Sequence, residues 1–366
     1  MGKHSEKNKV YKEIDSEEKN KKKNKLGNIF KVIVIVIIIL ILIVSSCVIG
    51  AYIYIRNSLK TLNYVEINED AIEVNEGVDE SLQGYRTIAL FGVDSREDEL
   101  QSGTRSDCII LAVVDQKNKS VKLVSVYRDS YLQISGRGLD KVTHAYAYGG
   151  AEKSINTLNT NLDLDITEFA TVNFSVLSDI VDSIDGVKIK ITSEEIKYIN
   201  KYIGEVERVS GKKSSSITTP GTHNLDGVQA VAYSRIRYTS GGDYKRAERM
   251  RTVLSAIISK SKGLGITKLN RLANKLLPEI YTNIDPNEII SMIPQIATYT
   301  VSNSMGWPYE VKGATIKKVW YGVPVTLESN VKKLHEEVYS KQTDYEVSSK
   351  VKEISNQIIK RSGYSK

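Results

Sequence analysis

The sequence predicts an α/β domain, its sheet covered on both faces by helices, held behind a single N-terminal transmembrane helix. Three observations carry this. Residues 32–55 contain no charged side chain. Beyond them, strand-like runs are almost continuously apolar instead of alternating, as in strands buried on both faces. Segments with apolar residues at helical spacing are interleaved with those runs, and helices alternating with strands make α/β the economical class.

Taken in order, residues 1–31 hold ten lysines against five acidic residues and form a basic tail of net charge +5. The 366-residue chain carries +7 in total, so the remainder contributes only 7 − 5 = +2. That leaves no basic excess to coat a nucleic-acid backbone, and nucleic acid is excluded as a partner; any cationic site beyond the tail must be a local cluster. With 41% hydrophobic and 26% charged residues, the rest reads as globular.

Residues 32–55 include the run VIVIVIIILILIV. At about 1.5 Å per residue they cross a hydrocarbon core of roughly 30 Å. The lysine-rich side stays in the cytoplasm, and Tyr52 and Tyr54 fall at the outer aromatic belt, so everything after Arg56 is extracytoplasmic. A cleaved signal peptide fits less well, because the apolar run is long and no A-x-A-like site follows. VSSC at residues 44–47 has the look of a lipoprotein cleavage site, yet apolar sequence continues beyond Cys47. Cys47 and Cys108 are the only cysteines, and no disulfide or cysteine metal site is expected.

Residues 56–84 are polar and acidic and read as a stalk. The folded domain is expected over 85–345. TIALFGV predicts a first strand, and CIILAVVD, QKNK and SVKLVSVY predict two strands around a polar turn. NFSVLSDIVDSIDGVKIKI predicts a helix, a stop at Gly186 and a further strand. Ala247, Met250, Val253, Leu254, Ile257 and Ile258 give another helix one buried stripe, and Asp285-Pro286 with Glu288 marks a helix start. Residues 346–366 read as a peripheral helix or loose tail.

Three groups of residues carry possible chemistry. Asp94 in GVDSR follows the first strand and Asp107 in TRSD precedes the second, so neighbouring strands would bring both carboxylates to one sheet edge. Magnesium commonly takes one or two carboxylates and completes its shell with water and phosphate oxygens; singly, each aspartate reads as a turn residue. Arg128 and Asp129 close the next strand, either as a site pair or as a surface ion pair. Arg235 and Arg237 share a face if the backbone is extended there. After Gly241-Gly242 come Asp243, Lys245, Arg246, Arg249 and Arg251 at the start of the amphipathic helix. Cations at a helix N-terminus oppose its dipole, and a bound phosphate would remove the conflict. The alternative is a solvated basic face with Asp243 as N-cap. His144 reads as a structural hydrogen-bonding residue, since no nucleophile stands beside it.

GVDSR, RSDCIILAVVD, KLVSVYRDSY, DKVTHAYAYGG, HNLDGVQAVAYSRIRY and GDYKRAERMR, in this order between residues 86 and 251, resemble the LytR-CpsA-Psr family of bacterial cell-wall glycopolymer ligases. The resemblance implies a three-layer α/β/α domain with a central mixed sheet and a hydrophobic tunnel for a polyprenyl chain, its mouth holding magnesium-bound pyrophosphate. It places Asp94 and Asp107 as metal ligands, and Arg105, Arg128, Arg235, Arg237, Arg246 and Arg249 as pyrophosphate-binding residues. Arg128, Asp129 and Asp243 fall at the catalytic positions, either aspartate serving as proton acceptor. Tyr127, Lys245 and Met250 depart from the family pattern, where proline, a small residue and glutamine are usual.

The implied reaction moves a polyprenyl-pyrophosphate-linked glycopolymer, such as teichoic acid or capsule, onto a peptidoglycan hydroxyl at the outer face of the cytoplasmic membrane, with magnesium as cofactor. A membrane-tethered transcriptional regulator and a non-catalytic lipid- or polymer-binding protein are the competing expectations. The regulator needs the domain in the cytoplasm, against the charge of the tail.

Overall fold

In a computed structural model of the chain, residues 63–94, 100–302, 304–339 and 345–365 are described. The basic tail, the apolar span 32–55, Cys47 and its VSSC motif, and Ser95 and Arg96 of GVDSR lie outside the described residues. The described chain begins with β1 (Asn63–Tyr64), α1 (Val78–Ser81), β2 (Tyr85–Val93), β3 (Ser106–Asp115), β4 (Ser120–Val126), β5 (Tyr131–Ile134) and β6 (Gly138–Lys141). It continues through α2 (Thr143–Leu162), β7 (Glu168–Asn173), α3 (Phe174–Ser183), β8 (Val187–Ile191), α4 (Ser193–Ser210), β9 (Gly221–Leu225), α5 (Gly227–Ser234) and α6 (Gly242–Lys262). It ends with α7 (Ile266–Leu276), β10 (Tyr281–Thr282), α8 (Pro286–Met292), β11 (Thr300–Val301), β12 (Met305–Trp307), β13 (Val311–Ile316), β14 (Val319–Pro324), α9 (Leu327–Val338) and α10 (Ser349–Ser362).

The central sheet runs β1-β10-β7-β2-β3-β4-β11, with β12 also on β4. It is mixed: β2 is antiparallel to β3 and parallel to β7, and β3 is antiparallel to β4. The period-2 pleat sorts the strand residues into two cores. Ala89, Phe91, Ile109, Leu111 and Val124 face a cluster with Ile155 and Leu158 of α2, Leu334 of α9 and Ile354 of α10. Ile88, Ile110 and Leu123 face the other way, with Leu254 and Ile258 of α6 and Ile289 of α8 against them. Both faces are apolar because both are covered, which is why the strands read as nearly continuous hydrophobic runs.

A third cluster joins the β8–β9 hairpin to α3, α4, α5 and α6 through Val181, Ile189, Ile199, Val231 and Val253. Gly186, at φ 80, ends the segment between α3 and β8 in the left-handed region, as the sequence predicts. The Asp285 side chain accepts hydrogen bonds from the backbone of Asn287 and Glu288 and caps α8.

Two expected boundaries move. Val78 and Leu82, in the predicted stalk, are 4% and 1% exposed within the main core, so the domain begins before residue 85. The C-terminal segment is not a loose tail: Val351, Ile354 and Ile358 are at most 1% exposed, which makes α10 part of the same layer as α2 and α9. The charged stretch hid an amphipathic helix whose apolar stripe is only one residue in three or four.

Candidate functional site

The site lies at the edge of the sheet where β2 ends and β3 begins. The antiparallel register pairs Gly92 with Cys108 and Val93 with Ser106, with an irregularity between them. Asp94 and Asp107 therefore emerge together, and both line one cavity of about 270 Å³.

Asp107 is the hub of the charge network. Its Oδ1 accepts from Arg128 Nη1 at 2.5 Å, and its Oδ2 lies 3.1 Å from Arg237 Nη2 and 3.6 Å from Arg246 Nη1. Three guanidinium groups thus converge on one carboxylate, and guanidinium forks grouped in this way can also grip the oxygens of a phosphate. Arg246 is 3% exposed and also bonds Asp243 Oδ1, at 3.0 Å. Buried cations are retained where they are paired, and this one is paired only with carboxylates that a phosphate would rival.

The local backbone accounts for the convergence. Arg235 is the C-cap of α5, in the right-handed helical region, and Arg237 follows in the loop. The extended backbone on which a shared face depended is not present at Arg235, where helical hydrogen bonding carries on. Both nevertheless line the Asp94 and Asp107 cavity. Arg235 sits over the rings of Phe174 and Tyr202, at 5.3 and 5.4 Å, and its Nη2 is 3.8 Å from Glu205. Gly241, at φ 91, makes the sharp entry into α6, so Asp243 lies inside the first turn and is not the N-cap.

Asp243 and Asp129 border a second cavity of about 170 Å³ on the other side of the Asp107 and Arg246 pair, which both cavities share. Burial, then the neighbouring Asp129 and Asp107 carboxylates, hold the Asp243 carboxyl above the usual aspartate range against the pull of Arg237 and Arg128. Asp129 is tied instead to Lys141 Nζ at 2.7 Å.

Behind the arginines lies a third cavity of about 260 Å³, walled almost wholly by apolar side chains that include Leu90, Ile110, Leu177, Val253 and Ile257. Phe174 and Met250 border both it and the arginine-lined cavity. A polar mouth for a charged head thus opens beside a greasy compartment for a hydrocarbon.

Two predicted residues are placed elsewhere. Arg249 is 5% exposed and turned into the protein, its guanidinium donating to Glu195, to the Ile236 carbonyl and to Thr239. With every arm engaged it braces the 235–239 loop and does not reach the cavity, which corrects its assignment to pyrophosphate. Arg105 is exposed and lines none of the three cavities. His144 hydrogen-bonds Asp140 at 2.9 Å, as expected for a structural residue.

Lys141, Phe174, Tyr202, Tyr244 and Trp320 are site residues that spacing did not single out. Of the departures from the family pattern, Tyr127 packs edge-on against Tyr244 at 4.6 Å. Lys245 pairs with Glu248, and Met250 is a wall of all three cavities. Cys108 is a free thiol.

Known proteins share this architecture. The LytR_cpsA_psr family description matches residues 51–337. The polyisoprenyl-teichoic acid–peptidoglycan teichoic acid transferase TagT of Bacillus subtilis (strain 168) is 30% identical over 305 residues, which span 81% of this chain and 91% of TagT. The corresponding transferase TagU of Enterococcus faecalis is 32% identical over 203 residues, 55% of this chain and 59% of that protein. Among solved structures, TagT bound to LIIa-WTA superposes with a TM-score of 0.55 at 28% identity, covering 71% of this chain and 92% of that one. A LytR-CPS2A-psr family structure of TagT with bound octaprenyl pyrophosphate lipid gives 0.51 at 28% identity, with the same coverage. From its fold, its carboxylate and arginine cluster and a family match over most of its length, this chain belongs to the LytR-CpsA-Psr family.

Proposed function

We propose that the chain is a phosphotransferase that moves a polyprenyl-pyrophosphate-linked glycopolymer onto a peptidoglycan hydroxyl and releases polyprenyl phosphate. The observation that carries this is the contact between an arginine-lined polar cavity and an apolar one across Phe174 and Met250. A diphosphate with a hydrocarbon tail is the ligand class that fills both. The relatives' names describe this transfer of teichoic acid, and one solved relative holds octaprenyl pyrophosphate.

Asp94 and Asp107 would hold magnesium. The donor set fits that ion: two carboxylates line one cavity. Such a site leaves most of the shell to water and phosphate oxygens, as magnesium prefers. When bound, the ion neutralises charge on the phosphate oxygens.

The protein's own side chains do the rest. Arg128, Arg235, Arg237 and Arg246 orient the diphosphate and stabilise charge that builds on its oxygens, the main demand of phosphoryl transfer. Asp243 accepts the proton of the attacking hydroxyl. Its raised basicity suits that role better than Asp129, which Lys141 holds in an ion pair. Phe174, Met250 and the apolar wall shelter the lipid from water. Among the described residues no helix is long and apolar enough to cross a membrane; the span 32–55 is the anchor in this reading, with the domain outside the cell.

The test is magnesium-dependent cleavage of a polyprenyl pyrophosphate by the purified domain. Asp107→Ala and Arg235→Ala should each abolish it while circular dichroism stays native, and unchanged turnover in both would contradict the site. Protease accessibility on intact cells separates this reading from a cytoplasmic regulator.

A further inference from the structure

The cavity beyond Asp107 and Arg246 shares those two residues and Arg128 with the diphosphate-binding set and extends past them. It is lined by Asp129 and Ser130 on one wall, by Asp243 and Tyr244 at the start of α6, and by Trp320 and Gly322 of β14. Past the arginines its wall adds the Asp129 and Asp243 carboxylates, to which a neutral polyhydroxylated ring can hydrogen-bond. The Ser130 Oγ and Arg128 Nε are buried without a hydrogen-bond partner among the described residues, so the polar wall is incomplete as it stands.

Trp320 gives this cleft an aromatic side. It is 47% exposed, yet it is held in place: a Cβ at Gly313, on the paired strand β13, would lie 2.9 Å from Trp320 Nε1, so the indole lies close over the glycine. Lys141 Nζ lies over the indole, 5.9 Å from its centroid, and 2.7 Å from Asp129, between the ring and the carboxylate wall. The hairpin is fixed to that wall by Gly322, whose N–H donates to the Asp129 carbonyl at 2.9 Å. An indole supported from below beside carboxylates offers a sugar ring an apolar face for its C–H side and polar groups at its rim.

We propose that this cleft is the acceptor subsite, in which one pyranose ring of the glycan strand stacks on Trp320 and presents its hydroxyl to Asp243. The proposal rests on the phosphotransferase reading above. The hydroxyl oxygen forms the new bond to the sugar-side phosphorus, and its proton passes to Asp243. The bond from that phosphorus to the lipid phosphate breaks, and polyprenyl phosphate leaves with the electron pair. The cavity is too small for a polymer and suits a single ring. Trp320 is thus a positioning and specificity residue.

The experiment uses uncrosslinked peptidoglycan glycan strands as probe. The chain has two tryptophans. Trp307 is 0% exposed and donates to the Asn330 carbonyl, so only Trp320 emission should respond to the strands. A saturable quench or blue shift, present in Trp307→Phe and lost in Trp320→Phe, supports the subsite even without turnover; no change in the native chain overturns it. In transfer assays Trp320→Ala should raise the acceptor KM about tenfold, a loss of roughly 1.4 kcal/mol, with kcat at saturation and the affinity for octaprenyl pyrophosphate within twofold. Trp320→Phe should recover most of the acceptor KM. An unchanged acceptor KM, or a loss confined to the sugar-bearing donor, would overturn the assignment. Failure of the native chain to bind octaprenyl pyrophosphate would count against the phosphotransferase reading instead, and the fluorescence response would still decide the subsite.

Discussion

Phe174 and Met250 stand on the shared wall of the arginine-lined cavity and the apolar one. Phe174 begins α3 directly after β7, and Met250 lies two turns into α6, so two elements from different parts of the chain close on the same point. In the proposed reading, head and tail of a lipid pyrophosphate would be recognised on opposite sides of this pair.

Tail length should therefore control affinity. Each buried methylene is worth about 0.8 kcal/mol, so binding should strengthen with added isoprene units until the apolar cavity is full. Ile257→Trp, which fills that cavity from α6, should weaken octaprenyl pyrophosphate binding at least tenfold and leave inorganic pyrophosphate unaffected. Isothermal titration with both ligands checks this.

Asp243 gives a pH signature. Its folded-state pKa is raised, so the protonated form is the one the fold favours; that contribution to stability is complete below the unfolded pKa of about 3.9 and is lost as pH rises through the folded value. Asp243→Asn, which removes the titrating carboxyl, should flatten the pH dependence of Tm in this range, while also weakening the ion pair with Arg246. The same variant should lose transfer activity. In the native chain the acid limb of the rate profile should lie above the ordinary aspartate range.

Arg249 should behave as a structural residue. It and Glu195 are 5% and 6% exposed and meet at 2.8 Å. Desolvation works against the Glu195 carboxylate, but hydrogen bonds from Thr192 and Arg249 outweigh it and hold its pKa below the usual range. Removing one member of a buried pair costs roughly 3–5 kcal/mol, so Arg249→Ala should be visibly destabilised in urea. Stability from a depressed carboxylate is present above its unfolded pKa and lost as pH falls through the folded value. The deficit of Glu195→Gln should accordingly shrink in acid.

The last helix should be indispensable. Ile354→Ala removes a fully buried side chain from the core beneath the sheet and should cost about 2–5 kcal/mol. Deletion of residues 346–366 should leave a domain that fails to show cooperative unfolding by calorimetry.

Much of this was legible in the residues because local patterns and global fold agree. The apolar runs of β2, β3 and β4, the Gly186 stop and the Asp285 cap are set by neighbours in sequence. Asp94 and Asp107 came together because one hairpin joins their strands. What spacing missed depends on distant contacts. Lys141 meets Asp129 only because β6 folds back beside the strand end, and Trp320 arrives from the C-terminal hairpin. Arg249 looked like its neighbour Arg246, but a rotation of three residues along α6 turns it toward Glu195 instead of the cavity. In the same way α10 shows its role only through the groove that receives it.

The most direct test is a crystal structure of the folded domain with octaprenyl pyrophosphate and magnesium. The diphosphate should lie among Asp107, Arg235, Arg237 and Arg246, with the tail running past Phe174 and Met250 toward Val253 and Ile257. A diphosphate bound away from those arginines, or a tail lying on the outer surface with the apolar cavity empty, would contradict the account.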